Sequence, residues 1–379
     1  MNKKKPIRVL QNIGMVCGGG VEAVIMNYYR NINKQNVQFD FIVDGKGLDS
    51  FDNELKKLGG KVYHVTPYKE NIVRYMRDIY KIIKDNNYII FHDNLNTMAG
   101  FSLFSAWLAG VKIRILHNHS TNSKEEFKRY YMKLLLRPFA PIFANKYLAC
   151  SKLAGEWMFG SEKVQLGNVR IVNNAIDLQK FSFSEEVRAK LRSEINVNDE
   201  DTVIGHIGRM VPQKNHMFLL ELFAEFYRKQ KNSWLLLIGD GPLRESIIAK
   251  ARDLRIYDRI IFLGVRSDVN KYYSVMDLFL LPSLYEGLPV VTVEAQANGV
   301  PILMSDEITS EAIVRDNVCQ LSLNLTKDVW VDEMNKFVGM RSSRDLTSLE
   351  KAGFSIQKEA EKLEIYYRNL VQGVENSGS

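Results

Sequence analysis

Residues Ser283–Pro301 read SLYEGLPVVTVEAQANGVP. Two glutamates, Glu286 and Glu294, bracket a Gly-Leu-Pro turn and an apolar run. The apolar stretch DLFLLPS precedes the segment and PILMSD follows it. Strand, turn, helix and strand in that order make a βαβ unit, which needs a parallel sheet. Pro289 lacks an N–H and suits a helix start. Glu294 then lies about one and a half turns into the helix. That is too deep for a simple complement to the dipole at the first turn. The pair could serve catalysis, orient a ligand or simply favour a helix start, and a carboxylate directly facing an anion would be repelled.

The same alternation runs outward in both directions. IRVLQNIG, VQFDFIVDG, KVYHVTPY, YIIFHDN, KIRILHNH, KYLACS and VRIVNNAID are short apolar runs separated by helical patterns. The pattern weakens in the polar stretch Asp177–Asp201 and restarts with TVIGHIG, SWLLLIGDG, RIIFLG and DLFLLPS. At 379 residues the chain is long enough for two domains. The expected fold class is therefore α/β, with two doubly wound Rossmann-like domains facing a central cleft. Expected boundaries are 1–180, 181–355 and a C-terminal helix over 356–379 that returns to the first domain. Ligands in such sheets bind beyond the carboxyl ends of the strands.

Composition narrows the class. Hydrophobic content of 46% with 25% charge is that of a globular enzyme. Three widely spaced cysteines without a CxxC argue against a disulfide framework or a zinc site and fit a reducing cytosol. The basic N-terminus precedes an apolar run too short for a signal peptide, and no stretch reaches the roughly 20 apolar residues that span a bilayer. The net charge of +7 fits either a mildly basic surface or attraction to anionic lipid or substrate. No nucleic-acid motif accompanies it. The basic, aromatic stretch Lys124–Tyr147 reads as an amphipathic core helix or as a surface that touches a membrane.

Several strand-end loops could carry chemistry. In GMVCGGGVE, the glycines Gly18, Gly19 and Gly20 serve a tight turn or let a helix N-terminus approach an anion. Asp40, about twenty residues on, resembles a ribose-binding acid, but the glycine spacing departs from G-x-G-x-x-G and argues against a nicotinamide enzyme. In HIGRMVPQKNH, Arg209 and Lys214 are surface cations or a clamp on a diphosphate. Gly239 in LIGDGPLRE and Leu263 in FLGVRSD end the next two strands. His92, His117, His119 and His206 also fall at strand ends, without the spacing of a metal site.

Taken together, GRMVPQKN, GDGPL, FLG, PSLYEGLPVVTVEAQANGVP and GGGVEAVIMNYYR resemble glycosyltransferase family four, of the GT-B fold. QFDFIV and RILHNHST resemble its capsular and exopolysaccharide branch. The resemblance implies a retaining transfer of a sugar from a nucleotide donor, with uridine as the base, to a hydroxyl of a glycan or lipid-linked glycan. It implies that Arg209 and Lys214 hold the diphosphate, Glu286 takes donor-sugar hydroxyls and His119 or His117 meets the transferred sugar, His119 being favoured. Gly19, Gly20, Gly239, Gly287, Leu288 and Val290 would line the donor, Leu263 would sit by the base and Glu294 would take the ribose. No metal or other cofactor is expected, and no nucleic-acid partner. The implied location is cytoplasmic, peripheral on the inner face of the cell membrane. A GT-B sugar-nucleotide epimerase and a non-catalytic sugar-nucleotide-binding subunit are the alternatives; both glutamates and both cations speak for an active transferase.

Overall fold

The computed structural model describes residues 5–16, 20–120 and 127–377. The chain forms two compact units: residues 1–175 with 355–379, and residues 176–354.

The first unit holds strands β1 (Ile7–Gly14), β2 (Val37–Asp44), β3 (Val62–Val65), β4 (Ile90–Asp93), β5 (Ile113–Asn118), β6 (Lys146–Ala149) and β7 (Val169–Ile171). Their order across the sheet is β3-β2-β1-β4-β5-β6-β7, and each described pairing is parallel. The order reverses between β1 and β4, which opens a crevice at their carboxyl ends. Strand β2 is buried along its whole length, as a parallel strand covered on both faces must be. The C-terminal helix Ile356–Ser377 belongs to this unit because of its apolar stripe. Ile356, Ala360, Leu363, Tyr367 and Val371 are buried at helical spacing. The Tyr367 ring meets Phe39 of β2 edge-on, with centroids 5.9 Å apart.

The second unit holds β8 (Thr202–Ile207), β9 (Ser233–Ile238), β10 (Ile260–Gly264), β11 (Leu278–Leu281), β12 (Ile302–Ser305) and β13 (Val318–Leu321). The sheet order is β10-β9-β8-β11-β12-β13, again parallel. Here the reversal lies between β8 and β11. Phe223 and Phe226 of helix His216–Lys229 join Trp330 and Met334 of helix Lys327–Phe337 over Leu235 and Leu237 of β9. Each such side chain contributes roughly 1.5–3 kcal/mol by leaving water.

The polar stretch Asp177–Asp201 is not a loose connection. It contains helix Glu185–Glu194, whose Arg188 and Arg192 each reach Asp277 at 2.6 Å. Asp277 also accepts the Val203 N–H at 2.8 Å, which ties this helix to the first strand of its sheet.

Candidate active site

In the second unit, the loops after β8 and β11 meet at the reversal of strand order. Gly208 follows β8, and a Cβ there would lie 3.2 Å from Cδ of Lys214. Glycine therefore makes room for the lysine stem. Lys214 closes the short turn Pro212–Lys214 and points Nζ to within 2.5 Å of Oε1 of Glu286. Gln213 Nε2 donates to the other carboxylate oxygen at 3.1 Å and to the Tyr285 carbonyl at 3.0 Å. The Leu284 N–H donates to the Gln213 carbonyl at 2.8 Å, so the two loops are stitched at both backbone and side chain. Glu286 is buried, and the Lys214 and Glu286 side chains are only 14% and 11% exposed. Arg209, five residues before Lys214, is exposed in the same loop.

Gly287 and Leu288 lead from Glu286 to Pro289, which is the N-cap of helix Val290–Asn298. No side chain caps this helix, so its N–H groups and dipole favour an anion at its start. Glu294 is the fifth residue of the helix, and Tyr273 Oη donates to its Oε2 at 2.7 Å. Burial lifts the Glu294 carboxyl to about 7, against the opposing pull of Tyr273 and Lys180. Unfolded, the group titrates near 4.3. The folded state thus binds the extra proton, and stability from this group falls as pH rises from about 4.5 to about 7. Asp44 and Asp93, raised to about 6, add slopes of the same sign. Glu294→Gln should therefore flatten the decline in unfolding free energy between pH 5 and pH 8 without abolishing it. Urea titrations of wild type and variant at both pH values check this; parallel declines would place Glu294 in a more solvated setting.

Gly239 follows β9 and donates its N–H to the Gly264 carbonyl at 2.8 Å. Leu263 lies partly exposed near the end of β10, where the register against β9 shifts by one residue. The Gly208 N–H donates to the Ile238 carbonyl and the Met210 N–H to the Asp240 carbonyl, so the Arg209 loop hangs on the Gly239 turn. His206 is buried, with Nδ1 2.8 Å from the Leu280 carbonyl.

In the first unit, the crevice between β1 and β4 encloses a cavity of about 330 Å³. Ile13, Gly20, Asp44, Lys69, Asn94 and Asn96 are among its lining residues. Gly20 begins helix Gly20–Asn31; Gly19 lies outside the described residues. Asp44, at the end of β2, is buried with an unpartnered Oδ1, and burial together with Asp93 raises its carboxyl to about 6. Asp40 faces elsewhere: its carboxylate takes the Arg8 guanidinium, the Lys61 N–H at 2.7 Å and Tyr88 Oη at 2.6 Å.

His92, His117 and His119 form one buried cluster beside this cavity's Asn94. His92 Nε2 lies 3.1 Å from His117 Nδ1, and the His117 and His119 rings are 3.9 Å apart at their centroids. His119 Nε2 lies 3.0 Å from Asn94 Oδ1, and Asn96 Oδ1 takes its backbone N–H at 2.8 Å. Burial lowers all three rings, His92 and His119 to about 3. The imidazoles are neutral near pH 7. Among the described residues, no group of three or more His, Cys, Asp or Glu side chains is arranged to hold a metal ion.

The structure thus brings Lys214 and Glu286 into direct contact and carries Gly287, Leu288 and Val290 on the adjoining turn and helix start. It gathers His117 and His119 in the first unit. Gln213 and Tyr273, which hold the two glutamates, had no signal in the sequence.

Two parallel doubly wound sheets, each with a reversal of strand order, make up the GT-B fold that the structural neighbours share. The family description "Glycosyl transferases group 1" matches residues 187–348, and "Glycosyltransferase Family 4" matches residues 18–180. EpsF of Bacillus subtilis is 34% identical over 86% of this chain and 86% of its own. CapH of Staphylococcus aureus, a capsular polysaccharide biosynthesis glycosyltransferase, is 22% identical over 88% of this chain and 92% of its own. An Escherichia coli enzyme named UDP-Gal:alpha-D-GlcNAc-diphosphoundecaprenol alpha-1,3-galactosyltransferase is 25% identical over 77% of this chain and 78% of its own. Among solved structures, Anabaena HepE in complex with UDP-glucose superposes with a TM-score of 0.77 at 17% identity, over 96% of this chain and 99% of that one. The chain belongs to glycosyltransferase family four, in its capsular and exopolysaccharide branch.

Proposed function

We propose that the protein is a retaining transferase that moves a sugar from a UDP-sugar to a hydroxyl of a lipid-linked glycan without a metal ion. The observation that carries this reading is the Lys214–Glu286 pair, held by Gln213 beside the uncapped start of helix Val290–Asn298. The names of the Escherichia coli and Anabaena relatives support the UDP-sugar, and the former supports the lipid-linked acceptor.

Cleavage of a sugar–phosphate bond leaves negative charge on the diphosphate. Lys214, Arg209 and the helix N-terminus supply positive charge for it, and that charge matters more in the transition state than in the ground state. Lys214 has three donors, so one bond to Glu286 leaves capacity for phosphate oxygens. The same bond keeps the Glu286 carboxylate compatible with a nearby anion. Glu286 then takes hydroxyls of the donor sugar, and Glu294 takes the ribose. In the second unit Leu263 is assigned to the base and Gly239 to the donor; in the first, the Gly20 helix start is assigned to the donor and His119, with His117 beside it, to the transferred sugar. The C–O bond to phosphate breaks, the acceptor oxygen bonds to the same face of the sugar carbon, and its proton passes to the leaving phosphate.

Mass spectrometry of products from a panel of nucleotide sugars, with and without a polyprenyl-diphosphate-linked acceptor, tests the proposal. Transfer to the lipid-linked acceptor is expected. Conversion without acceptor would instead indicate an epimerase, and binding without turnover a non-catalytic subunit.

A peripheral place on the inner face of the cell membrane goes with a lipid-linked acceptor. Among the described residues, no helix is long and apolar enough to cross a membrane. Helix Phe127–Leu136 and the turn after it do expose Tyr131, Leu135, Phe139 and Ile142, each more than half accessible, with Lys133 on the same helix and Lys146 just beyond. Apolar side chains among lysines suit an anionic lipid surface. Co-sedimentation with phosphatidylglycerol vesicles should weaken as salt rises and drop several-fold in Leu135→Glu; binding unaffected by both would move the contact elsewhere.

A further inference from the structure

We infer that Gln11 and Tyr367 are positioning residues whose shared hydrogen-bond network sets the tautomers of His117 and His119, leaving the pair with one bare N–H donor and one bare acceptor for a sugar hydroxyl. The inference rests on the assignment of this pair to the transferred sugar.

The network has an unambiguous root. Asn94 Nδ2 lies 3.2 Å from the Asn12 carbonyl, which can only accept. That fixes the amide: Nδ2 donates, and Oδ1 faces His119. His119 must therefore donate from Nε2, which leaves its Nδ1 as a lone pair. The second Asn94 Nδ2 proton goes to Gln11 Oε1 at 3.1 Å, which fixes the Gln11 amide as well. Gln11 Nε2 then donates to Tyr367 Oη at 3.2 Å. Gln11 Nε2 can only donate, so the Tyr367 hydroxyl proton has His92 Nδ1, at 2.7 Å, as its acceptor among the described partners. His92 carries its proton on Nε2 and donates to His117 Nδ1. His117 is left with its proton on Nε2.

The two atoms at the ends of these chains, His117 Nε2 and His119 Nδ1, are buried and have no protein partner among the described residues. An unpartnered buried polar atom is destabilising, and in a native structure it calls for an explanation such as a ligand or a catalytic role. Strand register explains why the network forms. Gln11 pairs with His92, and His92 with Ile115, so Gln11, His92 and His117 share one face of the sheet. The C-terminal helix covers that face with Tyr367. Asn12 and Asp93 point to the other face, where Tyr75 and Ser102 bond them. Lowered imidazole basicity keeps the three rings neutral, as fixed tautomers require.

The test is long-range nitrogen–proton NMR of the full chain with 15N-labelled histidine at pH 7. His117 and His119 should both appear as neutral Nε2–H tautomers. An Nδ1–H form or a charged ring at either position overturns the inference, whether or not any variant folds. Tyr367→Phe removes the donor to His92 and should switch His117 to the Nδ1–H form, leaving His119 unchanged. The variant's kcat should fall roughly 10- to 100-fold with donor KM little changed. A switched tautomer with wild-type kcat, or an unswitched tautomer, would remove Tyr367 from this role. Should wild type transfer no sugar at all, the functional reading falls while the wild-type spectrum still decides the tautomers.

Discussion

Lys214→Ala is expected to lower kcat/KM for sugar transfer by roughly 10²–10³-fold, the loss typical of one charge-stabilising donor. The side chain sits 2.5 Å from Glu286 and is mostly buried. Its removal takes the ammonium partner from the Glu286 carboxylate, which keeps its bond from Gln213. A buried charge that loses its partner is destabilising, by as much as about 3–5 kcal/mol when fully buried. Here both groups keep some water, so a loss of about 1–3 kcal/mol is expected. The double variant Lys214→Ala/Glu286→Gln separates the two consequences. It should recover part of the stability, because a neutral amide replaces the carboxylate that lost its ammonium, and none of the activity. Product formation by mass spectrometry and urea unfolding of the three proteins measure this. Near-normal transfer by a folded Lys214→Ala protein would remove the lysine from the reaction.

Gly239→Ala is the second large effect. Gly239 has φ +132°, a conformation that L side chains rarely adopt, and an added Cβ would lie 2.1 Å from the Gly208 carbonyl oxygen. Neither the strained dihedral nor the backbone clash can relax through a side-chain rotation. Each costs on the order of 1–3 kcal/mol. Together they should lower the melting temperature by roughly 4–24 °C for a unit of this size. Because the Gly208–Met210 segment hangs on residues 238–240, the Arg209 loop must shift too. Calorimetric titration should show UDP affinity falling at least tenfold. An unchanged melting temperature would mean that the turn has another conformation in solution.

Much of the fold was legible from local patterns. Buried parallel strands are short apolar runs, and the helices between them carry a periodic stripe, so β1 through β12 are readable as alternating segments. The loops Gly208–Asn215 and Ser283–Val290 could be singled out because strand ends in such sheets meet ligands. What fills those loops was less legible. Gln213 reaches Glu286 across 73 residues, and Tyr273 reaches Glu294 across 21. No periodicity connects positions so far apart. The polar stretch Asp177–Asp201 is opaque for a related reason: Arg188 and Arg192 meet Asp277 across 89 and 85 residues.

The family itself was written in the strand-end motifs, because backbone approach to an anion requires glycine, a cation and an uncapped helix start at short spacing. The pairing of Glu286 with Lys214, which would make a carboxylate compatible with the proposed diphosphate, was decided by the tertiary structure. So was the histidine network, in which Tyr367 meets His92 from 275 residues away. Sequence alone determines which side chains end each strand. Only the folded sheet determines which of them share a face, what covers that face, and therefore where each proton sits.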